Sequence, residues 1–149
     1  MAATTAMCTS FKKELLEAKH NFLNSGGSTF KVALIKNSMS GTYGAATTNY
    51  SDVTGNSDEV ANGSGYTTGG ATLTRVDPSA SGTTALTDFA DVTWSTASFT
   101  AAACLIYNTS QSDRAVSVHD FGGNKTASGG DFNLTFPTAD ASNAILRLA

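Results

Sequence analysis

Two histidines, two cysteines and a short acidic run are where this 149-residue chain could do chemistry. His119 stands beside Asp120, with Ser117 two residues back. A serine touching a histidine is the core of a nucleophile–base pair. Along a strand, however, residues two apart share a face at about 7 Å. That spacing places Ser117 and His119 too far apart for a direct proton relay, and His119 reads as a half-exposed strand histidine. His20, next to Lys19, falls in an expected helix and reads as solvent-facing. Zinc needs three or four ligands brought together. Cys8, His20, Cys104 and His119 show no paired spacing, so no metal site is expected. Asp52, Asp58 and Glu59 lack the alternating oxygen ligands of a calcium loop and read as a solvated acidic stretch. The glycine-rich run over 63–70 has no lysine and leads into an expected strand, so it lacks the helix N-terminus that a phosphate loop needs. No catalytic residue and no cofactor is expected.

The elements that would position these residues change period along the chain. Residues 1–9 are small and polar and read as a flexible N-terminal arm. Met7, Phe11, Leu15, Ala18 and Phe22 step by four, four, three and four, one helical face, widened by Leu16 and Leu23. The spacing predicts a helix over 10–24, capped by Ser10 and stopped by Gly26 and Gly27. This apolar stripe either packs on a sheet or meets a neighbouring chain.

From residue 30 the period becomes two. Phe30, Val32 and Leu34 alternate with Lys31, Ala33 and Ile35, the mark of a strand. Residues 37–70 form a long, weakly patterned loop, of the kind that usually carries function or assembly. Its tyrosines, Tyr43, Tyr50 and Tyr66, either contact another subunit or tuck back onto the domain. With Phe11, they are the candidate interface residues, since tyrosine is enriched at interfaces. Residues 77–82 read as a turn around Asp77 and Pro78. Strands follow near 89–94, over 99–107 (apolar on both faces and therefore central), over 114–121, over 132–136 and at 145–148. Gly122 and Gly123 are expected to break the strand over 114–121. Six to eight short strands and one leading helix predict a mainly β domain: an antiparallel β-sandwich or jelly roll with one N-terminal α-helix, single over 10–149.

Charged residues make up 14% of the chain and the net charge is −3. The nine Lys and Arg are scattered, so nucleic acid is not an expected partner. The longest apolar run, 101–107, is far short of the ~20 residues a membrane helix needs, and no membrane partner is expected. Ser, Thr, Ala and Gly together form about half the chain, a surface suited to close, static contact with other subunits. The first ten residues lack the basic start and apolar run of a secretory leader, so Cys8 and Cys104 are expected as free thiols. Asn-x-Ser/Thr triplets at Asn49, Asn62, Asn108, Asn124 and Asn133 are as common as so Ser/Thr-rich a chain produces by chance and carry little weight.

The order of short motifs carries a further signal. Ser25-Gly26-Gly27 precedes Phe30-Lys31-Val32-Ala33-Leu34-Ile35. Ser57-Asp58-Glu59-Val60 leads to Gly63-Ser64-Gly65-Tyr66. Then come Val92-Thr93-Trp94, Ala103-Cys104-Leu105-Ile106-Tyr107-Asn108 and, near the end, Gly130-Asp131-Phe132-Asn133-Leu134-Thr135-Phe136-Pro137. Over roughly residues 10–149 this order resembles a family of small virion proteins of tailed bacteriophages. It departs from the family pattern at Ile35, where an aromatic is usual, and in the long loop. The resemblance implies a non-enzymatic β-sandwich in a virus particle: a capsid cement or decoration protein bound to the major capsid protein and to copies of itself, with a tail, neck or fibre subunit as the alternative. A glycan-binding module using the loop aromatics is a third expectation. The resemblance brings no catalytic residue.

Overall fold

The computed structural model describes all 149 residues. Its backbone is a long β-hairpin, β8 (Val92–Asn108) with β9 (Arg114–Leu134), joined by a short 3-10 turn over Thr109–Gln111. β3 (Phe30–Lys36) pairs antiparallel with the inner half of β8, matching Phe30 to Asn108 and Ile35 to Ala103. β5 (Ala71–Thr72) and β2 (Ala6–Met7) complete a five-stranded sheet in the order β2-β9-β8-β3-β5. β6 (Arg75–Ser81), β7 (Thr84–Phe89) and β10 (Leu146–Leu148) form a second, three-stranded antiparallel sheet. The protein is thus mainly β, a β-sandwich with antiparallel sheets and a leading helix, as its alternating pattern predicts.

Aromatic rings join the layers. Phe22 stacks on Phe30 of β3 at 4.4 Å between ring centres, and Phe89 of β7 meets Phe30 at 5.8 Å and Phe136 at 5.7 Å. The central position expected for 101–107 is where it lies. Every residue from Ala101 to Asn108 is buried, because β3 and β9 cover both edges and the core covers both faces.

Four local expectations are corrected. Residues 1–9 are not a free arm. β1 (Ala2–Ala3) runs parallel to β4 (Thr42–Tyr43), Ala6 and Met7 pair with Val118 and Ser117, and Cys8 donates its N–H to Val116 O. The helix α1 spans only Thr9–Leu16. It ends at Ala18, which has φ +57; Ala18 N–H bonds Leu15 O and Lys19 N–H bonds Glu14 O. That is a helix stop built on a left-handed residue. Alanine there costs about 1 kcal/mol, but the reversal lets His20 and Phe22 turn inward to the sheet.

Asp77 and Pro78 lie within β6, at a bulge between Val76 and Ser79, and the turn itself falls at Gly82. Pro78 is tolerated because β6 is an edge strand with no ladder partner on its outer side. Gly122 and Gly123 do not end their strand. Ala103 pairs with Asp120 and Ala101 with Lys125, so the glycines sit in a wide bulge inside β9. The long loop is also ordered, carrying the single-turn helix α2 (Ser51–Thr54).

Candidate functional site

The acidic run that reads as solvated is the structural anchor of the long loop. Asp58 is fully buried. Its carboxylate accepts from Ser40 N–H, Gly41 N–H and the Tyr43 hydroxyl at 2.9, 2.7 and 2.6 Å, with Lys36 Nζ at 3.4 Å. Burial alone would raise the Asp58 pKa, but these donors more than offset it and hold it at about 2. Glu59 bridges to Ile35 of β3 and accepts from the Tyr50 hydroxyl, the Tyr66 hydroxyl and Gly69 N–H. Tyr50 stacks on Tyr107, whose hydroxyl donates to Gly69 O.

Two glycines make this close approach possible. A Cβ on Gly70 would strike the Val32 carbonyl, and one on Gly65 would come within 2.8 Å of Ala97 Cα; both residues have positive φ. The ordered sequence from Glu59 through Tyr66 to Gly70 is therefore a clamp that folds the loop onto β3 and β8.

The candidate interface residues fall inside the fold. Tyr43, Tyr66 and Phe11 are buried, and Tyr50 is half-buried against Tyr107. Of the two alternatives, the tyrosines take the inward one. Their hydroxyls are spent on Asp58 and Glu59, so the exposed aromatic groove that a glycan would need is not built from them.

Ser117 and His119 correct the expectation drawn from strand spacing. The Ser117 hydroxyl lies 2.8 Å from His119 Nε2, because the two side chains lean toward each other on one face of β9. Ser117 is 1% exposed, between Met7 of β2 and Ile106 of β8. A carbonyl substrate has no approach to an oxygen so enclosed. His119 is half-buried as expected, and burial lowers its pKa to about 4, so it is neutral at pH 7.

His20 is not solvent-facing. Asn108 Oδ1 accepts from Ser110 N–H, which turns the Asn108 amide NH2 toward His20 Nδ1 at 2.9 Å. The other ring nitrogen, Nε2, then donates to Glu14 at 2.8 Å, and Glu14 also accepts from Arg114. This buried chain ties α1 to the β8–β9 turn. Cys8 and Cys104 are both free and buried. Across the molecule, no three His, Cys, Asp or Glu side chains converge as a metal-binding set.

The molecule also leaves a few large apolar side chains exposed, Leu16 and Leu148 among them. α1 lies against β7 and β10 across a cleft of about 120 Å³ lined by Met7, Phe11, Leu15, Phe22, Leu86 and Leu146. The stripe Met7, Phe11, Leu15 and Phe22 therefore packs inward and floors a groove at the same time. Leu16 and Leu148 stand at its open side, 91% and 57% exposed. Folding joins Leu16 of the helical stripe to Lys12, Arg147 and Leu148 in one surface, which no spacing along the chain marks. A local sign of its apolar part is the pair Leu15-Leu16, with one leucine more than a single face can bury.

No family model matches the chain, and neither the curated proteins nor the solved structures contain a significant match.

Proposed function

We propose that this protein is a non-enzymatic structural subunit of a tailed-phage virion, a cement or decoration protein that binds the assembled head and bridges copies of the major capsid protein. The observation that carries this reading is the apolar groove between α1 and β10 with Leu16 and Leu148 exposed beside it. An exposed apolar groove of this kind gains from being covered by another protein. The order of short motifs along residues 10–149 supports the same reading. So does the small, sparsely charged surface, which loses little solvation when another protein covers it.

Each contact of this kind is modest. Many copies on a symmetric shell add up, because every bound subunit that touches two capsid proteins makes the second contact intramolecular. The expected effect is resistance of the shell to heat and internal pressure. Immunogold labelling of intact particles tests the location: label on the head supports cement, label on the tail or neck replaces it with a tail subunit, and unlabelled particles refute a virion role. Heads lacking the protein should also break at lower temperature than heads carrying it.

A further inference from the structure

The surface that faces the shell, and the chemistry it selects, follow from the groove's charge. We infer that the groove between α1 and β10 seats a leucine-sized apolar side chain from an acidic segment of the capsid protein, an inference that rests on the virion reading above.

The floor is made by Phe11, Leu15, Leu86 and Leu146, and its volume is about 120 Å³. An apolar cavity of ~150 Å³ accommodates a benzene molecule, so the groove suits one aliphatic side chain. Leu16 and Leu148 extend the apolar surface outward from that pocket.

Two charged side chains line the groove and its extension, Lys12 and Arg147, and both are cationic. Lys12 makes no ion pair; Arg147 bonds to the Ala141 and Ser142 carbonyls and lies near Asp140, whose pKa it helps to lower, without a direct bond to a carboxylate. A second copy docked about a two-fold axis would set these cations against their own counterparts, and like charges across an interface cost binding energy. An acidic partner segment pairs with both. The charge pattern thus favours a different chain carrying Asp or Glu beside the inserted apolar residue.

The test is co-sedimentation with DNA-free expanded heads stripped of this subunit, using wild type, L16E, L148E, the double variant K12E/R147E and, as a control on the β9 bulge, K125E. The substituted side chains are exposed or rim-lying, and matched circular dichroism and melting curves establish that each variant folds. L16E, L148E and K12E/R147E should each bind at least tenfold more weakly, wild-type binding should weaken with added salt, and K125E should bind as wild type. Wild-type binding with the three groove variants unaffected overturns this inference and leaves the cement reading standing. No binding by wild type at any salt concentration removes both. Concentration-dependent self-association that L16E abolishes assigns the groove to a second copy and overturns the acidic partner.

Discussion

The Tyr66 hydroxyl donates to Glu59 Oε1 at 2.7 Å and accepts from Leu34 N–H at 3.0 Å, so one oxygen joins the long loop to the middle of β3. Tyr66 is buried, and burial followed by the Glu59 carboxylate pushes its pKa far above the usual phenol value. It therefore stays protonated, and a donor, at neutral pH. Removing that oxygen leaves the buried Leu34 N–H without its partner and Glu59 Oε1 with Gly69 N–H alone.

The substitution Tyr66→Phe should thus destabilise the protein by about 1–3 kcal/mol, the cost of an unsatisfied buried polar group. Urea unfolding should show a lower midpoint with an unchanged slope, since the surface buried is almost the same. A midpoint equal to wild type would mean the loop is held without this bond.

Gly70 gives a sharper contrast. Its φ of +74 and its contact with the Val32 carbonyl both forbid a side chain, whereas Gly82, at φ +60, faces open space. Gly70→Ala should lower stability by more than ~2 kcal/mol, and Gly82→Ala by about 1 kcal/mol, the cost of a left-handed alanine alone. Thermal melts of the two variants compare them directly, and equal losses would contradict the close approach at Gly70.

Both histidines predict a loss of stability in weak acid. Burial lowers the His20 pKa, and protonation would place an N–H at Nδ1 against the Asn108 amide NH2; the facing charges are Glu14, which favours the cation, and Arg114 and Lys19, which oppose it. Burial lowers His119 to about 4. A histidine with a depressed folded pKa contributes stability that is present above its unfolded value of about 6.5 and is lost as pH falls below it. For His119 that loss runs from about 6.5 down to about 4. The melting temperature should fall between pH 7 and pH 5, and His119→Gln should flatten part of that slope. A melting temperature constant across this range would show that the fold depresses neither ring's pKa.

The thiols should be inert in the native protein. Burial pushes Cys8, also beside Asp52 and Glu14, and Cys104 up to about 12. A thiolate is the reactive form, so a disulfide-exchange reagent at pH 8 should label neither cysteine until denaturant is added, when both should react. Rapid native labelling of Cys8 would mean that the segment from β2 into α1 opens.

The strand content was legible because burial writes itself into alternation. Phe30, Val32 and Leu34 mark β3, and the apolar run over 101–107 marks a strand covered on both faces. Helix length was not legible. Phe22 continues the helical period of Phe11 and Leu15, but its ring is buried through stacking on Phe30 after the chain reverses at an alanine. Nothing local distinguishes Ala18 in a left-handed turn from an alanine in a helix. Asp58 shows the same limit for a charged residue: its donors come from Ser40, Gly41 and Tyr43, 15 to 18 positions earlier, and only folding brings them together.

The sequence by itself determined the class of the fold, since the two-residue period and the turn residues between runs are local properties of the chain. It also determined that charge would be sparse and the surface small-residued. Tertiary structure decided which side of each tyrosine faces water, whether Ser117 and His119 touch, and where apolar surface remains uncovered. Those outcomes depend on contacts between residues distant along the chain, and on the geometry with which α1 meets β7 and β10, which no spacing of residue types encodes.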